Sequence, residues 1–210
     1  MMSTKSVKVL GVLAITILLL SLPALAETQF ELSFGMDSPT GSLNEFWRVG
    51  FGINAGAFLE ITPFTSAGLC IGYSRMSLDE EHLLEYISAP SDFTVEGNFS
   101  VISICGELRM SAGAMDKAIF FGGIGVGLFM ADMPQIVDQF NYAVTTAFDW
   151  ENKIGGYVNA GFAYPVSDMI NIGLKAKYSI FSVGDDIGWA NLETFRGWLT
   201  FQALAMISLM

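Results

Sequence analysis

Apolar and polar positions alternate with a period of two through most of the chain. From Ile170 the even positions read Ile170, Ile172, Leu174, Ala176, Tyr178 and Ile180. The odd ones read Asn171, Gly173, Lys175, Lys177 and Ser179. Successive side chains of a strand point to opposite faces, so this pattern describes a strand with one oily and one polar face. Residues 194–209 repeat it, with Phe195, Gly197, Leu199, Phe201, Ala203, Ala205, Ile207 and Leu209 against Arg196, Trp198, Thr200 and Gln202. Residues 46–61 place Trp47, Val49, Phe51, Ile53, Ala55, Ala57 and Leu59 on the apolar side. Eight segments of this kind are predicted, at 28–37, 46–61, 65–77, 93–110, 117–131, 148–165, 169–183 and 194–209. The fourth changes phase: Phe93, Val95, Phe99 and Val101 share one set of positions, Ile102, Ile104 and Leu108 the other. A bulge or a boundary is expected there.

The connections between segments alternate in length. A tight turn at Thr62-Pro63-Phe64 and short links at 111–116 and 165–168 lie on one side. Longer links at 38–45, 78–92, 132–147 and 184–193 lie on the other, and both ends of the series fall on the short side. An even strand number with this alternation is the plan of an outer-membrane barrel. In lipid an open sheet would leave edge N–H and C=O groups unpaired, so the sheet must close. The pattern predicts an all-β fold, an eight-stranded antiparallel up-and-down transmembrane β-barrel. A helical crossing fails on length: the uncharged stretch 118–131 would reach only ~21 Å as a helix, against a hydrocarbon core of ~30 Å. Aromatic girdles are expected at Trp47, Tyr73, Phe93, Phe129, Trp150, Phe181 and Phe195 toward the loops. Their counterparts toward the turns are Phe30, Phe64, Phe120, Phe162 and Tyr164.

Residues 1–26 have a different design. Lys5 and Lys8 precede an apolar run from Val9 to Leu22, and Pro23-Ala24-Leu25-Ala26 supplies small residues for cleavage before Glu27. This is the plan of a cleaved N-terminal signal peptide, with the barrel domain spanning 27–210. The run is shorter than the ~20 residues of a spanning helix. The whole chain has 52% hydrophobic and 15% charged residues and a formal net charge of −11. So little charge with 13% aromatic residues excludes disorder. The acidic balance excludes nucleic acid as a partner, because phosphates require Lys and Arg. Fourteen of the 21 acidic residues fall on the long-loop side: Asp37, Glu45, Asp79, Glu80, Glu81, Glu85, Asp92, Asp132, Asp138, Asp149, Glu151, Asp185, Asp186 and Glu193.

With these features, and with phrases such as Phe121-Gly122-Gly123-Ile124-Gly125-Val126-Gly127, the chain resembles the small eight-stranded outer-membrane proteins of the OmpA-transmembrane, OmpX and OmpW kind. The resemblance covers residues 27–210 and singles out no subfamily. It implies location in a bacterial outer membrane with periplasmic termini, contact with outer-membrane lipids, insertion by the barrel-assembly machinery, and a monomer. Members of that group commonly end on an aromatic residue, whereas this chain ends Ile207-Ser208-Leu209-Met210.

The polar phase of each segment points into the barrel. It places Glu31, Arg48, Glu60, Glu96, Lys175, Lys177 and Arg196 in the lumen, with Asn54, Tyr157, Asn159 and Gln202. An eight-stranded barrel is barely wide enough for its own side chains, and charges confined there must pair. A polar network that fills the lumen is expected, with a narrow polar path left by Gly50, Gly52, Gly56, Gly68, Gly72, Gly123, Gly125 and Gly127 as the alternative. Cys70 and Cys105 fall in neighbouring strands, almost symmetric about their connection, and are candidates for a disulfide. The chain has one histidine, His82, within Glu80-Glu81-His82-Leu83-Leu84-Glu85. A solvated loop histidine is the expectation, with neither a catalytic residue nor a metal or cofactor site assigned. Short loop helices are predicted after Ser77 and around Pro134–Phe140. The acidic loops suit divalent cations. Three functions follow: a structural or interaction barrel, a narrow channel or carrier, and a lipid-modifying enzyme last. A soluble lipocalin-like barrel is the alternative fold.

Overall fold

The computed structural model describes residues 27–41, 44, 47–79, 93–96, 98–113, 118–132, 135–138, 144–146, 151–182 and 195–209. The predicted signal segment 1–26, His82 and most of the predicted loop helix after Ser77 lie outside them. Eight long strands form the wall: β1 (Thr28–Thr40), β2 (Gly50–Thr62), β3 (Thr65–Met76), β5 (Phe99–Ala112), β6 (Ile119–Asp132), β9 (Glu151–Pro165), β10 (Ile170–Ser182) and β11 (Phe195–Leu209). Each pairs antiparallel with its neighbours, and β11 pairs back onto β1 from Thr28↔Leu209 to Thr40↔Gly197. The closed barrel is therefore the one predicted.

The short connections are 63–64, 113–118 and 166–169, and the long ones are 41–49, 77–98, 133–150 and 183–194. Pro63 and Phe64 make the first turn, where the Phe64 N–H donates to Thr62 Oγ1 at 3.3 Å. Val166 and Ser167 both donate their N–H groups to the carbonyl of Ile170, which closes the last turn. Thr28 at the start of β1 and Leu209 at the end of β11 lie at this turn end.

The register fixes the size of the barrel. Followed from strand to strand, Gln29 pairs with Phe58, Phe58 with Gly68, Gly68 with Glu107 and Glu107 with Gly125. The path continues through Tyr157, Ser179 and Trp198 to Pro39. One circuit thus returns to β1 ten residues from its start. At ~3.3 Å per residue and ~4.8 Å between strands, this stagger sets a strand tilt of about 40° and a Cα radius of about 8 Å.

The outer face is apolar. Phe30, Leu32, Phe34 and Met36 of β1 are all exposed, as are Ile124, Val126 and Leu128 of β6 and Ile172, Leu174, Tyr178 and Ile180 of β10. An apolar surface that encircles the molecule belongs in lipid and not in water. The soluble, lipocalin-like alternative puts its oil inside and does not fit this surface. At the turn end Phe30, Phe64, Phe120, Phe162 and Tyr164 are exposed together, as a girdle requires. At the loop end three expected girdle members are turned inward instead: Trp47, Phe129 and Phe181 are buried.

The fourth predicted segment proves to be two strands. Phe93–Glu96 is β4, which leaves the barrel and pairs with β7 (Gln135–Asp138), itself paired with β8 (Val144–Thr146). The boundary lies between Glu96 and Phe99, whereas the phase change falls inside β5, whose two faces are both apolar near its start and whose register with both neighbours is unbroken. The predicted helix around Pro134–Phe140 is overturned by β7. Its β-branched Ile136 and Val137 sit opposite Val95 and Thr94, and a strand partner outweighs a weak helical pattern.

Phe34 lies near mid-height on the lipid face of β1. Phe34→Arg is expected to cost about 2–4 kcal/mol of folding stability in lipid vesicles, the depth-dependent cost of a charge at the bilayer midplane. Denaturant titration of the refolded barrel measures this. A loss below 1 kcal/mol would mean that this face does not meet hydrocarbon.

Candidate functional site: the barrel interior

The inward side chains form successive levels along the axis. At the turn end Phe58, Phe121, Ala163, Leu204 and Met206 are buried together as an apolar floor. The Arg109 guanidinium lies on this floor, 3.8 Å from the Phe58 ring centroid and 4.8 Å from that of Phe121. Such stacking places a planar cation on ring faces, where the quadrupole attracts it.

Ion pairs follow immediately above. Arg109 Nη2 is 2.8 Å from Glu31 Oε2, and its Nε donates to Glu107 Oε1 at 2.9 Å. Lys175 Nζ pairs with the other Glu31 oxygen. The Tyr157 hydroxyl donates to Glu107 Oε2 at 2.6 Å, and the Cys70 thiol donates to the same oxygen at 3.4 Å. Gly125, opposite Tyr157, and Gly123, opposite Asn159, leave the space for this. A Cβ on Gly123 would come within 2.7 Å of Glu107 Oε1.

The next level is polar and uncharged apart from Lys177 and Asp37. Lys177 Nζ donates to Asn54 Oδ1 at 2.6 Å and lies 5.4 Å from the Tyr157 ring centroid. Ser33 Oγ donates to Gln202 Oε1 at 3.1 Å. Asp37 is fully buried opposite Thr200. The buried charges of these levels are three acids, Glu31, Asp37 and Glu107, against three bases, Arg109, Lys175 and Lys177.

Aromatic rings cover the loop end. Phe129 and Phe181 are stacked with centroids 5.8 Å apart, and Trp198 packs edge-on against both. Phe99 stacks on Phe181 at 6.3 Å and meets Trp47 at 5.1 Å. Met76 and Val101 are buried at the same end. Trp47 is held by a bridge to Leu78 beyond the end of β3.

Of the residues expected in the lumenal network, Glu31, Lys175 and Lys177 are in it. Arg48 is not: its side chain is 67% exposed at the loop-side rim and pairs with Asp79 at 2.8 Å. It precedes β2, so the alternation of that strand does not extend to it. Glu60 is exposed at the turn end, beside the register shift that closes the β2–β3 turn. Glu96 belongs to β4, outside the barrel wall. Arg196 pairs through its backbone with Phe181, at the aromatic level and far from the ion pairs. Sequence reasoning missed Glu107, Arg109 and the lumenal place of Asp37. Glu107 and Arg109 share the odd phase of Phe99 and Val101, which looked like a lipid-facing set. The available signal was their alternation with Leu108 and Met110, both exposed. Cys70 and Cys105 are directly opposite in the β3–β5 register, and both are free thiols.

No protein-family model matches the chain, and no curated protein matches it in sequence. Its fold is similar to those of solved small barrels. With Neisserial surface protein A the TM-score is 0.53 at 14% identity, over 88% of this chain and 97% of that one. With Ail, the attachment invasion locus protein of Yersinia pestis in complex with the heparin analogue sucrose octasulfate, it is 0.53 at 12% identity, over 88% and 99%. With the outer membrane protein OprG from Pseudomonas aeruginosa it is 0.51 at 8% identity, over 88% and 96%. The likeness is one of fold, that of the small eight-stranded outer-membrane barrel.

Glu31 joins two cations, so its removal strands both. Glu31→Gln is expected to cost about 3–5 kcal/mol, the range for one partner lost from a buried ion pair. Adding Lys175→Met should recover part of that loss. Urea unfolding of the detergent-refolded variants tests both, and a Glu31→Gln cost under 1 kcal/mol would remove the ion pairs from the list of stabilising contacts.

Proposed function

We propose that the protein is an integral outer-membrane barrel with periplasmic termini, serving a structural or interaction role with a lumen closed to passage. One observation carries this reading: the interior is occupied at two separate levels, by paired charges below and by stacked aromatic rings above. A solute would have to break buried ion pairs at one level and displace Trp198, Phe129 and Phe181 at the other. Each step is costly, because an unpaired buried charge and an opened aromatic core each lose several kcal/mol.

What the barrel offers to partners is then its loop side. Strands β4, β7 and β8 extend the loops into a sheet of their own. Fourteen of the 21 acidic residues fall on this side or its margin, although Asp37 is drawn into the lumen. Ail binds the polyanion sucrose octasulfate in its solved structure. An acidic loop face repels such a ligand and instead favours divalent cations, which would bridge it to phosphate groups of the surrounding lipopolysaccharide. Outer-membrane lipids and the barrel-assembly machinery are the other partners of this reading. With His82 as the sole histidine and no acid–base constellation assigned, lipid-modifying catalysis ranks last.

A narrow channel is the second reading, and one observation favours it. Among the described residues, Asn159, Ser179 Oγ, Trp198 Nε1 and Gln202 Nε2 are buried without a protein hydrogen-bond partner. Buried polar groups of this kind call for water, and ordered water in the middle of the lumen is compatible with either reading. The two differ in whether that water connects both sides.

Refolded protein in a planar bilayer discriminates between them. The wild type is expected to give no unitary current, while running as a heat-modifiable band and co-fractionating with the outer membrane. Reproducible unitary steps from the same preparation would overturn the closed-lumen reading in favour of the channel. Recovery in buffer without detergent would overturn the membrane location.

A further inference from the structure

Cys70 and Cys105 face each other directly across β3 and β5. Both lie in the inward phase of their strands, with Ser103 and Glu107 at the adjacent inward positions of β5, and Cys105 is buried. Directly opposed residues of an antiparallel pair have Cβ atoms ~4.5–5.5 Å apart, and a disulfide spans ~3.5–4.5 Å with Cα atoms ~4.4–6.8 Å apart. The two ranges meet at ~4.5 Å, so a slight closing of this pair together with rotation of the two thiols brings the sulfurs to bonding distance. The neighbouring positions on the same rung are glycines on both sides, Gly56 on β2 and Gly127 on β6. A Cβ on Gly56 would approach Cys70 Sγ to 3.2 Å, so this glycine provides space that the sulfur uses.

We propose that Cys70 and Cys105 form a cross-strand disulfide that clasps β3 to β5 inside the lumen. The inference rests on the outer-membrane reading, since the chain must pass through an oxidising compartment. The oxidant is a protein disulfide of the periplasmic thiol-oxidase class. Cys70 and Cys105 lose two protons and two electrons to form one S–S bond, and the oxidant's disulfide takes up both to become a dithiol. Oxidation must precede closure of the barrel, because afterwards both sulfurs lie deep between the ion pairs and the aromatic lid.

The polar network accommodates the change. In the thiol form Cys70 donates to Glu107 Oε2. When that proton is lost, the same carboxylate keeps Arg109 Nε and the Tyr157 hydroxyl as donors. Neither oxygen of Glu107 is left without a donor. The location also has a physical reason. Residues 77–98 form the longest connection between adjacent barrel strands. The entropic cost of joining two strands rises with the length of the loop between them. A covalent tie at this hairpin acts where pairing is slowest to form.

The test has two arms. In the first, the mature chain is refolded in detergent with a mixture of oxidised and reduced glutathione, then unfolded in guanidinium with excess iodoacetamide, so that buried thiols are reached, and weighed intact. A heat-modifiable barrel without carbamidomethyl adducts, two mass units lighter than its reduced form, is expected. The Cys70→Ser variant should fold and take one adduct. A wild-type barrel that folds and takes two adducts overturns the clasp wherever the protein resides. In the second arm, cell fractions are dissolved directly in guanidinium with excess iodoacetamide. Protein in the outer-membrane fraction is expected to take no adduct, and two adducts there overturn the proposal. Two adducts on protein recovered outside the envelope overturn the location, and the clasp in the cell with it. Protein refolded with excess reductant should lose its folded band at a lower temperature than the clasped protein, while the Cys70→Ser/Cys105→Ser double variant should not respond to the reductant.

Discussion

The pairing of β11 with β1 is the constraint from which the remaining architecture follows. In hydrocarbon every edge N–H and C=O must find a partner within the sheet, so β1 is joined to β11 through thirteen residues and to the hairpin partner β2 through ten. Closure after eight strands with a stagger of ten residues leaves a Cα radius of about 8 Å. That width is too small for an aqueous pore lined by ordinary side chains and too large for glycines and serines alone. The interior is therefore a packing problem. Large inward residues are set against small ones on adjacent strands: Tyr157 against Gly125, Phe58 against Gly68, Lys175 against Gly161. Of the glycines that suggest a path through the lumen when read as sequence, Gly52, Gly56, Gly68, Gly72, Gly123 and Gly125 each leave space against which a neighbouring side chain lies, while Gly50 and Gly127 lie against backbone.

Filling such a space with charge is stable only when the charges balance and meet. Glu31 is shared by Lys175 and Arg109, and Arg109 is shared by Glu31 and Glu107. Arg109 is central because its planar cation does two things at once. It forks between two carboxylates and stacks on Phe58 and Phe121, so one residue connects the ionic level to the apolar floor. A lysine there would keep the charge and lose the stacking. Toward the loops the interior turns from polar to aromatic. Water would otherwise enter from the loop end and weaken the ion pairs by raising the local dielectric. The stacked Phe129 and Phe181 with Trp198 across them limit that entry.

The strands and their order were legible because lipid outside and polar groups inside enforce a strict period of two. The turn at Pro63-Phe64, the alternating connection lengths, and the places of Glu31, Lys175 and Lys177 follow from that period. Its limit is reached where both faces of a strand are apolar. In β5 the residues that face the aromatic lid, Phe99 and Val101, are as oily as Ile104 and Leu108, which face lipid. Alternation alone does not say which set is inside, and with the phase undecided Glu107 and Arg109 were not seen. The same ambiguity gave Phe129 and Phe181 to the girdle. Arg48 and Glu96 show a different limit. A pattern continued past the end of a strand assigns a face to residues that have left the wall, as Arg48 has with its partner Asp79 and Glu96 with its partner strand β7.

The balance of buried charge also explains how a chain this acidic remains a stable barrel. Among the described residues the three buried acids and three buried bases balance, so the packed interior adds nothing to the chain's formal net charge of −11. Like charges on the loops repel one another through water, where screening limits each pair to a small cost. The same imbalance inside the lumen would be felt at low dielectric and would cost several times more. Neutral wall and acidic loops are therefore separable parts. Loop residues are free to vary in number and sign without touching the contacts that hold the wall, whereas a single change at Glu31 or Arg109 alters two ion pairs at once. Interaction chemistry placed in the loops can thus diversify on a barrel whose interior is fixed by its own electrostatics.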